Sequence, residues 1–323
     1  MRILIASSQY PGYGGGATNS YSLIKKMREE KIKCAGMFLD DKNNIDPEKI
    51  GGIFSSSQKK EIIKYLGGYP THVFGKNYKA PYVGYGRFPK AINIYLVSGC
   101  PQMMSVAKKH MSAVEYIESN RRLRFPEEER AIKRANFVIP NSLIGKRLLE
   151  FHYGKLKKIK NPINTSNIVK DLPIISWEKK EYDICFCSSH FNRPVKNTVF
   201  AKKMLTHPYL QKFKIAVIGK GSSAFIAGKN IKNFDLIPHL KAKKIIGKSK
   251  VVLNTSFYDA SPNVIREAIQ MGSNVLVSNN CGWSEKYPKK MVISNYRSIS
   301  EWLKKISYLT AKRIKNNYSD SFK

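Results

Sequence analysis

Tyr258-Asp259-Ala260-Ser261-Pro262-Asn263-Val264-Ile265-Arg266-Glu267-Ala268 carries two carboxylates eight positions apart, with a helix start between them. Ser261 has the chemistry of an N-cap and Pro262 that of a first helical residue. The run therefore predicts a helix whose first N–H groups, around Asn263 and Val264, point outward at the positive end of its dipole. Such a terminus seats an anion. Helical rise carries Glu267 roughly 7 Å beyond Pro262, about the distance from a diphosphate at the helix tip to its ribose hydroxyls. Val264, Ile265, Ala268 and Ile269 form the expected buried face, with Asn263, Glu267 and Gln270 on the polar stripe beside it. A carboxylate on that rim needs donors, and ribose diols would supply them.

Working outward, the run lies in the second of two α/β patterns. In this half, strands are expected at Asp183 to Cys187, Lys214 to Ile218, Val251 to Leu253 and Asn274 to Ser278. The first two end in polar or glycine loops, Ser188-Ser189-His190 and Gly219-Lys220-Gly221-Ser222-Ser223, and a basic helix is expected from Ser298 to about Lys315. The first half opens with a strand at Arg2 to Ser7, the glycine loop Gly12 to Gly16, a helix from about Ala17 to Glu30, and a strand at Lys33 to Leu39. Further strands follow at His72 to Phe74, Ile92 to Val97 and Phe137 to Pro140, the last leading through Asn141-Ser142 into a helix that ends near Gly154. Residues 1–160 thus read as an N-terminal domain, 161–181 as a linker with Pro162 and Pro173, 182–310 as a C-terminal domain and 311–323 as a basic tail.

The two-carboxylate run resembles the E-x7-E motif of the family 4 retaining glycosyltransferases, with Glu267 as the second acid and Asp259 in place of the first Glu. The loop Ser188-Ser189-His190-Phe191-Asn192-Arg193-Pro194-Val195-Lys196-Asn197 resembles that family's basic loop. Lys196 matches its lysine, Arg193 stands closer to the lysine than the usual arginine, and His190 occupies roughly the arginine's place. Gly14, Gly15 and Gly16 match its N-terminal glycine loop. The stretches Phe74 to Pro81, Tyr95 to Gly99 and Val138 to Ser142 look like its N-domain segments.

The resemblance implies the GT-B fold, two Rossmann-like domains with parallel sheets facing across a cleft, and leaves open a C-terminal helix that returns to the N-domain. It implies transfer of a sugar from a nucleotide-diphosphate donor to an acceptor hydroxyl with retention, without a metal or other cofactor. Asp259, Lys196 and Arg193 would carry the chemistry. Gly14, Gly15, Gly16, His190, Gly219, Gly221, Ser261, Asn263, Val264 and Glu267 would hold the donor. The partners implied are a nucleotide sugar and an acceptor of unknown kind, whether glycan, lipid-linked or other.

Composition limits the alternatives. The 323 residues, 42% apolar and 11% aromatic, suffice for two buried cores. No apolar run approaches the ~20 residues of a membrane span and the N-terminus does not read as a signal peptide, so a cytoplasmic enzyme is expected. Neither the five cysteines nor the six histidines show zinc-like spacing, and Cys185 and Cys187 read as reduced core thiols. The 57 Lys and Arg against 23 Asp and Glu give +34, a field that attracts anionic membrane or nucleic acid. Peripheral placement at a membrane surface is one expectation from it, and nucleic-acid binding or glycosylation of nucleic acid stays open. A nicotinamide-dependent oxidoreductase also stays open, because Gly12-x-Gly14-x-x-Ala17 followed by Asp40 satisfies a loose dinucleotide-binding pattern that any tight strand-to-helix turn can also produce.

Overall fold

The computed structural model describes residues 3–7, 29–31, 34–38, 79–83, 92–97, 100, 102–123, 125–135, 137–162, 173–225 and 228–314. The chain forms two compact units, Met1–Gln102 with Asn120–Asn167, and Met103–Ser119 with Ile168–Lys323. Met103–Ser119 thus packs with the second unit, although it lies within the first domain in sequence order. The glycine loop with Gly14, Gly15 and Gly16, most of the helix expected after it, Asp40 and the strand expected at 72–74 lie outside the described residues.

In the first unit β1 (Ile3–Ser7), β2 (Cys34–Phe38), β3 (Lys79–Val83), β4 (Ile92–Val97) and β5 (Phe137–Pro140) form a sheet in the order β2-β1-β3-β4-β5. β1 pairs parallel with β2 and β4 with β5, while β3 runs antiparallel to both of its neighbours. The expectation of a parallel sheet is corrected here to a mixed one, because apolar patterning marks a strand without stating its direction. Four helices follow β4 in the chain, α1 (Gln102–Lys108), α2 (Ala113–Glu118), α3 (Pro126–Arg134) and α4 (Leu143–Tyr153), of which α2 and nearly all of α1 belong to the second unit. Ser142 caps α4 by accepting from the Gly145 amide, and Gly154 ends it at φ 78°, the start and stop that the sequence implies. Glu128 of α3 is buried, and its Oε2 accepts from Gln102 Nε2 at 3.0 Å and Tyr153 OH at 2.9 Å. Burial pushes this carboxyl up to about 7 against the pull of those two donors.

The second unit carries β6 (Tyr182–His190), β7 (Ile215–Lys220), β8 (Ile231–Asn233), β9 (Ser249–Asn254), β10 (Asn274–Ser278) and β11 (Val292–Ile293). All pair parallel, in the order β11-β10-β9-β6-β7-β8. Ile184, Cys185, Phe186, Val251, Val252, Leu253, Val275, Leu276 and Val277 are buried, as expected of parallel strands covered on both faces. The covering helices are α5 (Thr198–Leu205), α6 (His239–Gly247), α7 (Asn263–Gln270) and α8 (Ile299–Ala311). From β6 the chain advances toward β8, and from β9 it advances the opposite way toward β11. Right-handed crossovers in opposite directions place α5 and α7 on opposite faces of the sheet. The reversal lies between β6 and β9, where a doubly wound sheet opens a crevice beyond its carboxyl ends. No described helix is long and apolar enough to cross a membrane.

Candidate functional site

The loops that leave β6 and β9 meet at this switch point. After His190 the β6 loop makes a 3-10 turn over Pro194–Lys196, closed by the Lys196 amide donating to Arg193 O at 2.9 Å. Asn197 at φ 52° then turns the chain into α5. The β9 loop is stitched to it, with the Phe257 amide donating to Val195 O at 2.9 Å and the Thr255 hydroxyl to Lys196 O at 3.4 Å. Asp259 is held on its other side by Asn280 O, which accepts its amide at 3.4 Å, and by the Gly282 amide, which donates to its carbonyl at 2.7 Å.

These anchors bring Lys196 Nζ to 2.6 Å from Asp259 Oδ2, with side chains only 15% and 17% exposed. Asn254 Nδ2 donates to the same oxygen at 3.3 Å. Burial pushes the Asp259 carboxyl up, but the Lys196 charge and hydrogen bond, Asn254 and Arg193 outweigh it and hold the group below the usual carboxylate range. At the head of the same loop, burial and the nearby Lys220 and Arg193 charges lower the His190 pKa, which favours the neutral ring.

α7 begins one residue later than the sequence implies. Its N-cap is Pro262, with no side-chain cap, and Ser261 does not serve as the N-cap. The reason is Arg266, whose Nη2 donates to Ser261 Oγ at 2.6 Å and to Asn263 Oδ1 at 2.9 Å, so that the serine hydroxyl faces a guanidinium instead of the helix amides. The expected buried face is also corrected: Val264 is half-buried, whereas Arg266 and Glu267 are buried. Burial lowers the Arg266 pKa to about 10, against the opposing influence of Tyr287, Asp259 and Glu267. This buried cation beside both motif acids was invisible in the sequence, where an Arg on a helix reads as a solvated charge.

Glu267 likewise finds partners within the chain. Its Oε1 lies 3.1 Å from His239 Nε2 and 3.7 Å from Lys243 Nζ, both on α6. Gly219 and Gly221 are accounted for by the loop itself. A Cβ on Gly219, at φ 137°, would lie 1.6 Å from Ser188 O, and one on Gly221, at φ 86°, would lie 2.8 Å from Asn192 Oδ1. Their amides are also engaged, Gly219 N donating to Asp235 O and Gly221 N to Asp235 Oδ1, each at 2.9 Å. The structure therefore unites Asp259, Lys196, Arg193, Ser261, Asn263, Val264 and Glu267 around β6, β9 and α7, while the amides of Gly219 and Gly221 serve the β7 loop. Among the described residues no group of three or more His, Cys, Asp and Glu side chains could hold a metal ion.

Neither a protein-family model nor a curated protein sequence matches the chain. Solved structures do. WaaG, a glycosyltransferase involved in lipopolysaccharide biosynthesis, superposes with a TM-score of 0.60 at 12% identity, covering 97% of this chain and 91% of WaaG. The lipopolysaccharide outer core galactosyltransferase WaaB matches with a TM-score of 0.59 at 12% identity over 96% and 90% of the two chains. Anabaena Alr3699/HepE in complex with UDP and glucose matches with a TM-score of 0.56 at 13% identity over 96% and 92%. The fold is the two-domain, Rossmann-like GT-B fold.

Proposed function

We propose that the chain is a glycosyltransferase that moves a sugar from a nucleotide-diphosphate donor to an acceptor hydroxyl, with retention and without a metal. The observation that carries this reading is the meeting of Lys196 and Asp259, 63 residues apart in sequence, at the switch point of a parallel sheet and beside the uncapped start of α7. A diphosphate seated there faces helix amides, Lys196 and Arg193, which stabilise the charge that grows as the bond to the sugar breaks. Asp259 takes one donor of Lys196 and leaves two of its three for the phosphate oxygens. The C1–O bond to the diphosphate breaks as the acceptor oxygen bonds to C1 on the same face, and the acceptor proton passes to a diphosphate oxygen. The UDP and glucose bound to HepE support a nucleotide sugar as donor.

The test is a panel of nucleotide sugars assayed for release of free nucleotide, with and without a chelator. Release from at least one donor, undiminished by chelator, is expected. Release from none would reject the proposal, and a collapse in chelator reversed by magnesium or manganese would reject its metal-free form.

A further inference from the structure

One hydrogen bond and one ion pair converge on Glu267 in an asymmetric way. His239 and Lys243 stand one helical turn apart on α6, and both approach the same carboxylate oxygen, Oε1. Oε2 has no donor among the described residues, and it is not one of the partnerless polar atoms sealed from solvent. A carboxylate offers about four acceptor sites on two oxygens, so the His239 hydrogen bond and the Lys243 charge, both on Oε1, draw that oxygen toward α6 and leave the other to a ligand. Glu267 is itself buried to 7% exposure, so these neighbours constrain its orientation.

We propose that His239 and Lys243 are positioning residues that aim Glu267 Oε2 at the ribose of the donor, and that this device makes the site select ribonucleotides over 2′-deoxyribonucleotides. The inference rests on the donor reading above. A buried acceptor aimed at a diol is left partly unpaired when one hydroxyl is missing, and sites built this way reject the analogue lacking the hydroxyl. Neither α6 residue makes a hydrogen bond or ion pair with Lys196, Asp259 or the start of α7 among the described residues, so diphosphate binding serves as a control for their variants.

The experiment is calorimetric binding of UDP, ADP, GDP and CDP, their 2′-deoxy counterparts, and inorganic diphosphate to the full chain. The unmodified protein should prefer the ribo form of its best ligand by at least about tenfold. Lys243→Met and His239→Phe should each weaken that ligand about three- to tenfold and shrink the ribo preference, with diphosphate binding unchanged. Lys243→Gln, which keeps a donor without the charge, should fall between the two proteins. Matching thermal unfolding of the variants shows that the fold is kept. An unaltered ribo preference in the Lys243→Met/His239→Phe double variant would overturn the proposal. So would tighter ribonucleotide binding, which would make the two residues competitors of the ribose. If no nucleoside diphosphate binds the unmodified protein, the donor reading itself fails, an outcome distinct from both.

Discussion

Replacing Lys196 by Met removes the cation from Asp259 while keeping most of the side-chain volume, and the consequence follows from the exposure of the pair. At 15% and 17% exposed it lies between surface pairs, worth about 0–1 kcal/mol, and buried ones, whose disruption costs about 3–5 kcal/mol. A loss of about 2 kcal/mol at neutral pH is therefore expected, with the Asp259 pKa higher in the variant than in the unmodified protein. In the unmodified protein this pKa is depressed, so its stabilising contribution is present above the unfolded-state value of about 3.9 and is lost as pH falls through the folded value. In Lys196→Met only Asn254 and Arg193 oppose burial, so the Asp259 pKa rises and the carboxylate's stabilising contribution at neutral pH shrinks. The two proteins should thus differ least near pH 3.5 and most near pH 7. All three tryptophans, Trp177, Trp283 and Trp302, lie in the second unit, so urea denaturation followed by their fluorescence reports on this unit. A difference that stays flat between pH 3.5 and 7.5, or a coupling below about 0.5 kcal/mol in a cycle with Asp259→Asn, would refute the reasoning.

Gly219→Ala should destabilise the second unit by more than about 3 kcal/mol, because its Cβ would overlap the Ser188 carbonyl, a backbone atom that cannot step aside. Gly154→Ala, strained by φ 78° but open within 4 Å, should cost only about 1–3 kcal/mol, and the ranking is read from thermal unfolding. Glu128, whose pKa is raised from 4.5 to about 7, contributes stability that is full below 4.5 and lost as pH rises through 7. Stability measured relative to Glu128→Gln should therefore fall by about 3 kcal/mol between pH 4 and pH 8, and a pH-independent difference would contradict the buried acid. The charge of +34 should bind the protein to vesicles containing anionic lipid but not to neutral ones, with release at about 0.5 M salt. Equal sedimentation with both kinds of vesicle would count against a membrane-borne acceptor.

What the sequence determined by itself is what depends on neighbours along the chain. β4, β5 and β10 fall where apolar β-branched runs place them, and α4 begins and ends at Ser142 and Gly154, because caps and strand patterning act over a few residues. The acidic run and the basic loop were legible as strand-to-helix junctions for the same reason. Strand order and direction were not, since β3 runs antiparallel and β6 lies between β9 and β7 through pairings between distant segments. The site depends on that order. Only the adjacency of β6 and β9 brings Lys196 onto Asp259, only the packing of α6 against α7 gives Glu267 its partners His239 and Lys243, and only a buried Arg266 turns Ser261 away from the helix it was expected to cap. Residue chemistry and local spacing name the groups, but which charges become neighbours is decided by sheet topology, which joins positions 28 and 63 residues apart.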